Sequence, residues 1–379
     1  MTRAYIIAAR RTPVVPRHGT FAKLSVPELA VPCITALLHD ASLSVDQIDD
    51  VVMGNALYGG GNPARLCALL AGLYQTTPAF TLDTQCCSGL DAIMLAAHKI
   101  RAGDAHIVIA GGVESYSRSP LRFQRPKVPF GQPSEYFRPP FTPWHDRDPD
   151  MIEAAALLAH SRNISRQEQE AYAVQSHEKA CAATFKNTEI VSIEALSRDA
   201  FARRLNPALC ARLPVIAGDK NTALTPSTIA VEADASACVL IVSETVLKTL
   251  NWSGFCTQIT QGVRIGCDPT QPALAPITAV KKLMSHTNHR PCDIHRFELM
   301  EAFAVQAIVC LHELQWDHGN KLAHVNVKGG ALARGHPIGA SGAILAVRLW
   351  HDLQELGGGY GVAAIPAAGG LGSALMLAT

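Results

Sequence analysis

A thiol and an imidazole, each set among small residues, carry the chemistry this sequence suggests. Gln85-Cys86-Cys87-Ser88-Gly89-Leu90 places Cys86 where a strand at Phe80 to Leu82 gives way to a helix starting near Ser88. Far downstream, Gly335-His336-Pro337-Ile338-Gly339-Ala340-Ser341-Gly342 places His336 on a turn. Thiolates attack acyl-thioesters readily because sulfur displaces sulfur easily, and a nearby imidazole can take the thiol proton. The helix N-terminus is expected to favour the thiolate and lower the pKa of Cys86. Glycines around His336 allow close backbone approach and Pro337 fixes the turn, so the ring can be aimed at Cys86. Taken alone, a cysteine at such a junction is more often structural, and a histidine on such a turn is more often a plain loop residue.

The elements that must position these groups alternate along the chain. Strands are expected at Tyr5 to Ala9, Asp50 to Gly54 and Ala105 to Ala110, and helices at Val26 to Asp40, Ala64 to Ala71 and Leu90 to Ala102. Asn62-Pro63 opens the second helix and Gly103 closes the third. Ser117 to Asp150 is rich in Pro, Arg and aromatics and lacks periodicity, which marks a functional insertion. Helices follow at Ile152 to Ser161 and Arg166 to Thr184, the second opened by a Ser165/Glu168 capping box. The strand Ala237 to Val242 resumes the α/β pattern, and a second unit begins between Gly254 and Pro269. It holds the strand Arg296 to Met300, helices Ala302 to Glu313 and Ala340 to Leu356, and strands Val362 to Ile365 and Ser373 to Leu377. The order of elements implies two similar halves.

Composition bounds the function classes. With 379 residues, 48% hydrophobic and 17% charged, the chain can bury both faces of a sheet. A net charge of +1 gives no reason to expect nucleic-acid binding, and the apolar runs are far short of a membrane span. The start, Met1-Thr2-Arg3-Ala4-Tyr5-Ile6-Ile7-Ala8-Ala9, is too short in its apolar part for a signal peptide and reads as a first strand. Eleven cysteines without framework spacing suggest a reducing compartment, with the cytoplasm as default.

Over essentially its whole length the chain resembles the thiolases. The resemblance rests on Met53-Gly54-Asn55, Asn62-Pro63-Ala64-Arg65, Gly111-Gly112-Val113-Glu114-Ser115 with Ser117 and Pro120, Ser165-Arg166 to Ser176, and Gly266-Cys267-Asp268-Pro269. It continues through Glu301-Ala302-Phe303, Gly329-Gly330-Ala331 and the His336 turn. It implies a duplicated five-layered αβαβα core with an inserted loop domain. The expected division is an N-terminal half at 1–114, the insertion at 115–227, a return to the N-terminal half at 228–253 and a C-terminal half at 254–379. It also implies a homodimer or tetramer, acyl-coenzyme A substrates and no permanently bound cofactor. Cys86 becomes the nucleophile and His336 its base, with backbone N–H groups of Cys86 and Ala368 receiving the oxyanion. Met151, Phe303 and Ser236 are the expected substrate contacts.

Two positions depart from the family pattern. Met300 stands where thiolases carry an Asn or His that holds a water against the thioester carbonyl, and a thioether donates no hydrogen bond. Pro366 stands where they carry the acid/base cysteine of carbon–carbon chemistry. Acyl transfer onto Cys86 is therefore expected to outlast Claisen condensation or thiolysis, and a non-catalytic acyl-CoA-binding or complex-forming homologue is the alternative. Cys87 replaces a usual glycine and reads as a small buried side chain. Asp150 stands where a histidine is common, and Thr228-Ile229-Ala230 replaces a usual Asn-Ala-Ser. Six basic residues between Arg118 and Arg147, then Arg198, Arg203, Arg204, Arg212 and Lys220, make the insertion cationic, which suits nucleotide phosphates or simply a solvated face. His286, His289, Cys292 and His295 do not make a metal site, since Pro291 interrupts their spacing. Gly357 to Gly361 reads as a turn, not a dinucleotide loop.

Overall fold

The computed structural model describes residues 2–185 and 189–379. Met1, at the start of the expected first strand region, and residues 186–188 of the expected insertion lie outside the described residues. The main strands are β1 (Ala4–Arg11), β2 (Asp50–Gly54), β3 (Ala79–Leu82), β4 (Ile107–Ser115), β5 (Ala233–Ser243), β6 (Thr257–Gly266), β7 (Arg296–Leu299), β8 (Tyr360–Ala367) and β9 (Leu371–Ala378). They run in the order β7-β8-β9-β6-β1-β5-β4-β2-β3, with the short strand Val15–Pro16 beside β5.

The duplication is visible in strand direction. β2 pairs parallel with β4, which runs antiparallel to β5, which runs antiparallel to β1. β7 pairs parallel with β8, β8 antiparallel with β9, and β9 antiparallel with β6, the same succession. Only Tyr5↔Gln258 and Ile6↔Thr257 pair β1 with β6 and join the two halves edge to edge.

The main helices are α1 (Val26–Ala41), α2 (Pro63–Leu70), α3 (Ser88–Ala102), α4 (Met151–Ser161), α5 (Arg166–Ala182), α6 (Ala275–Thr287), α7 (Ala304–Glu313) and α8 (Ile338–Leu356). Ile34 and Leu37 of α1 and Cys67 of α2 pack with Val51 and Ile109 on the outer face of the first half. Leu283 of α6 and Leu311 of α7 pack with Phe297 and Val362 on the outer face of the second. Between the halves, Ile93 of α3 and Ile344 of α8 share a cluster with Val108 and Ile365. These contacts give five layers, αβαβα. A central helix meets protein on every side, so it cannot keep a polar face, and every residue of α8 from 339 to 353 is buried.

Charges buried against that layer are neutralised by one another. Arg11 of β1 meets Glu189 at 2.8 Å and Asp199 at 2.6 Å, while Arg348 of α8 meets Glu189 and, at 2.6 Å, Asp352. Loss of solvent alone would push the Glu189 carboxyl up, but Arg348 and Arg11 pull it down to about 2.

In the insertion, the Ser165 hydroxyl accepts from the Glu168 N–H at 3.2 Å and Glu168 Oε2 accepts from the Ser165 N–H at 2.8 Å, the expected capping box. Among the described residues no helix is long and apolar enough to cross a membrane.

Candidate active site

Cys86 leaves β3 through a tight turn. Gln85 holds φ at 57°, a left-handed conformation that a side chain adopts only when fixed, and its N–H is held by Asp83 Oδ1 at 2.9 Å. The residues 85–87 form a 3₁₀ turn that runs directly into α3. His336 reaches the same place from the other half. Its N–H donates to Val231 O at 2.7 Å, and Gly339 N donates to Glu114 Oε2 at 2.9 Å.

Two close backbone crossings bring the pieces together. A Cβ on Gly342 would lie 2.6 Å from Leu90 N, and one on Gly89 would lie 2.8 Å from Ala343 N. Glycine at both sites therefore lets α3 and α8 cross in backbone contact, immediately after Cys86 and His336. Glu114 fastens this crossing to the first half, accepting also from Asn55 Nδ2 at 2.6 Å and Ala56 N at 3.0 Å. Burial pushes the Glu114 carboxyl up to about 7 against the pull of these donors.

The outcome is a contact of 3.2 Å between His336 Nε2 and Cys86 Sγ. Both residues are half-buried. His336 Nδ1 lies 2.7 Å from Ser341 Oγ, whose hydroxyl donates to Pro337 O at 3.0 Å. With its own proton committed there, Ser341 Oγ receives the Nδ1 proton, which leaves the Nε2 lone pair facing the thiol. Burial holds His336 down to about 4, so the ring is a neutral acceptor through the physiological range.

The ionisation of Cys86 is opposite to the expectation from its helix. Burial pushes its thiol up to about 12, although backbone N–H groups at Ala368 and Cys86 favour the thiolate, and the negative charges of Glu114 and Asp83 push the same way as burial. A helix terminus contributes only about 0.3–1 kcal/mol where exposed, and desolvation outweighs it here. The resting pair is thus neutral thiol and neutral imidazole. Thiolate absorbance, read as the difference between wild type and Cys86→Ala, is expected to be absent at neutral pH and to rise only towards pH 12. A transition near the free-thiol value of about 8.5 would contradict this.

The remaining expected residues fall in three groups. Ala368 sits at the end of β8, its N–H turned to the Cys86 sulfur. Met151 begins α4, and Phe303, half-buried, packs with Ile152, Ile229 and Leu274. The segment 228–231 links this patch to the sulfur, because Ala230 N donates to Ala302 O, Ile229 bridges Phe303, and Val231 O holds His336. Ser236 is different. It is fully buried in the middle of β5, with its hydroxyl on Gly112 O at 3.4 Å, so it has no surface to offer a ligand. In a strand paired on both sides, polar side chains such as this bond within the sheet.

Cys87 is fully buried with its thiol on Ile365 O at 3.5 Å, a packing role. Met300 is buried in the cluster on which Cys86 packs, and Pro366 lies within β8 opposite Gly372. Asp150 caps α4 by accepting from Ile152 N at 2.8 Å. Glu301 accepts from Ser176 Oγ at 2.7 Å and Asn326 Nδ2 at 2.6 Å, tying α5 to the second half. Among the described residues no group of His, Cys, Asp and Glu is placed to hold a metal ion. In the insertion, Arg138 and Arg147 are paired with Asp148 and Asp268, leaving Arg118, Arg125, Lys127, Arg198, Arg203, Arg204, Arg212 and Lys220 exposed. Sequence reasoning passed over the tautomer-fixing bond of Ser341 and the anchoring role of Glu114, although both residues lie inside the quoted motifs.

Comparison with known proteins agrees with this geometry. Residues 4–245 match the thiolase N-terminal domain and residues 255–379 the thiolase C-terminal domain. The chain is 37% identical to the Bacillus subtilis protein YhfS, covering 98% of each, and 34% identical to an acetyl-CoA acetyltransferase of Cupriavidus necator, covering 99% of each. The crystal structure of human mitochondrial 3-ketoacyl-CoA thiolase superposes with a TM-score of 0.90 at 28% identity, covering 100% of this chain and 99% of that one. With the duplicated five-layered fold and matches spanning both halves, this chain belongs to the thiolase family of acyltransferases.

Proposed function

We propose that this protein takes an acyl group from a coenzyme A thioester onto Cys86 and passes it to an acceptor. The observation that carries the reading is the 3.2 Å contact between Cys86 Sγ and the unprotonated His336 Nε2. In the proposed step His336 removes the thiol proton as sulfur bonds to the thioester carbonyl carbon. Backbone N–H groups of Cys86 and Ala368 receive the resulting oxyanion. The intermediate collapses by breaking the bond to the coenzyme A sulfur, which leaves as a thiolate and takes the proton back from His336. The acyl-enzyme and free coenzyme A remain.

Met300 and Pro366 steer the second half-reaction. One missing oxyanion donor typically costs a factor of about 10² to 10³, and a missing general acid/base about 10² to 10⁴. Condensation or thiolysis, which needs a carbon acid deprotonated or a carbon leaving group protonated, is slowed by their product. A thiol, amine, alcohol or water acceptor needs neither. The same two residues favour one alternative, a non-catalytic acyl-CoA-binding or complex-forming subunit. Met151 and Phe303 would then line the path of the pantetheine arm, and the exposed cations of the insertion would meet the nucleotide phosphates.

The reading includes the division into halves at 1–114 with 228–253 and at 254–379 around the insertion 115–227, and placement in the cytoplasm. It also includes a homodimer. β3 is an open sheet edge, and beside it Leu66, Leu70 and Tyr74 expose more than half of their surface.

Incubation with acetyl-CoA followed by peptide mass spectrometry tests the central step. Expected are an acetyl group on the peptide containing Cys86 and release of an equivalent amount of coenzyme A. An unmodified Cys86 across several acyl-CoA chain lengths would leave the non-catalytic alternative standing.

A further inference from the structure

Besides His336, four ionisable groups interact electrostatically around Cys86, and three are already occupied. The Asp83 carboxylate is held by the N–H and side-chain amide of Gln85. Glu114 is taken up by Asn55, Ala56, Leu57 and Gly339. Glu232, whose backbone bridges to His336, pairs with Arg17 at 2.7 Å. The fourth is the phenol of Tyr116, which has no hydrogen-bond partner among the described residues.

The backbone fixes where this phenol goes. Tyr116 directly follows Ser115, the last residue of β4, which pairs with Asp234 of β5. The next residue, Ser117, is held by Asp234 through both its N–H at 3.0 Å and its hydroxyl at 2.5 Å. Tyr116 O accepts from Ser119 Oγ at 2.9 Å. Side chains two residues apart along a strand share a face, so Tyr116 is directed to the side on which Glu114 reaches Gly339 of the His336 turn. Tyr116 is half-buried.

We propose that the Tyr116 hydroxyl donates a hydrogen bond to the carbonyl oxygen of the acyl group under attack by Cys86, adding a third donor to the backbone N–H groups of Cys86 and Ala368. No proton leaves the phenol. It remains on Tyr116 while negative charge gathers on the carbonyl oxygen and disperses again when coenzyme A departs. The chemistry of the site suits a donor rather than an acid or base. Burial, with Cys86 and the carboxyl groups of Glu232 and Glu114 nearby, holds the phenol well above its ordinary value, so it stays protonated. The inference rests on acylation of Cys86 by a coenzyme A thioester.

The experiment compares full-length wild type with Tyr116→Phe, which removes one oxygen without a partner and so leaves packing in place. Single-turnover acylation of Cys86 by acetyl-CoA is followed by intact-protein mass spectrometry, and alkylation of Cys86 by iodoacetamide is measured in parallel. Acylation is expected to slow by about 10²-fold or more, the usual effect of one oxyanion donor, while alkylation keeps its wild-type rate. Equal acylation rates in the two proteins would overturn the role of Tyr116 and leave the Cys86–His336 reading intact. Slowing of acylation and alkylation together would place Tyr116 on the sulfur instead and would also overturn it. Failure of wild type to acylate would overturn both.

Discussion

Replacing Cys86 with alanine is expected to abolish acyl-enzyme formation altogether, with acetyl-CoA left intact and no adduct at any other cysteine. Cys86 is the half-buried thiol that faces a lone pair, whereas its neighbour Cys87 is fully buried against Ile365 O. Loss of a nucleophile that acts with its base removes their joint contribution, on the order of 10⁶-fold where such pairs have been dissected. The fold should tolerate the change, because alanine keeps the Cβ that packs on the core and the lost hydrogen bond is to a side chain that keeps its Ser341 anchor. Cys87→Ala is the matching control and should load as wild type does. Coenzyme A release and the mass of the loaded protein check both. Turnover that survives in Cys86→Ala would transfer the chemistry elsewhere.

Glu189→Gln should have the largest effect on stability. Its carboxylate sits between Arg11 and Arg348, all three side chains almost entirely out of solvent. Removing one charge from such a buried group typically costs about 3–5 kcal/mol, since the remaining cations are left without full compensation. At about 2 °C per kcal/mol for a chain of this size, the melting midpoint should fall by roughly 6 to 10 °C. The pH dependence carries a second signature. The folded-state pKa near 2 lies below that of an unfolded glutamate, so this contribution is complete above about pH 4.5 and is lost as pH falls through 2. Wild type should therefore lose stability towards pH 2 more steeply than Glu189→Gln. Parallel pH profiles would show that the carboxylate is not held by the two arginines.

What could be read from sequence was set by how local the governing physics is. Strands such as Asp50–Gly54 and helices such as Val26–Ala41 follow from apolar periodicity and cap residues, and emerge close to their expected limits. The helix Ala275–Thr287 was not evident, because Pro276 and the polar stretch Lys281-Lys282 blur the pattern of its buried face, which Ile277, Ala279, Val280 and Leu283 form. The juxtaposition of Cys86 and His336 was legible through two motifs. Their protonation was not, because desolvation depends on the closing of both halves around the site, and no local motif records it. Ser236 was misread for the same reason: a serine beside an expected ligand motif looks available until the pairing of β4 and β5 encloses it. Tyr116 became visible only when its neighbours were found to be already bonded.

The crossing of α3 and α8 has a consequence for biogenesis. The sulfur arrives early in translation, but its proton acceptor and the Ala368 amide are encoded near the far terminus. Until the segment 336–368 has been made and docked, a nascent chain possesses neither, so the paired site forms only after both halves have been translated. A chain that stops before the second half is expected to leave Cys86 without its neighbouring imidazole.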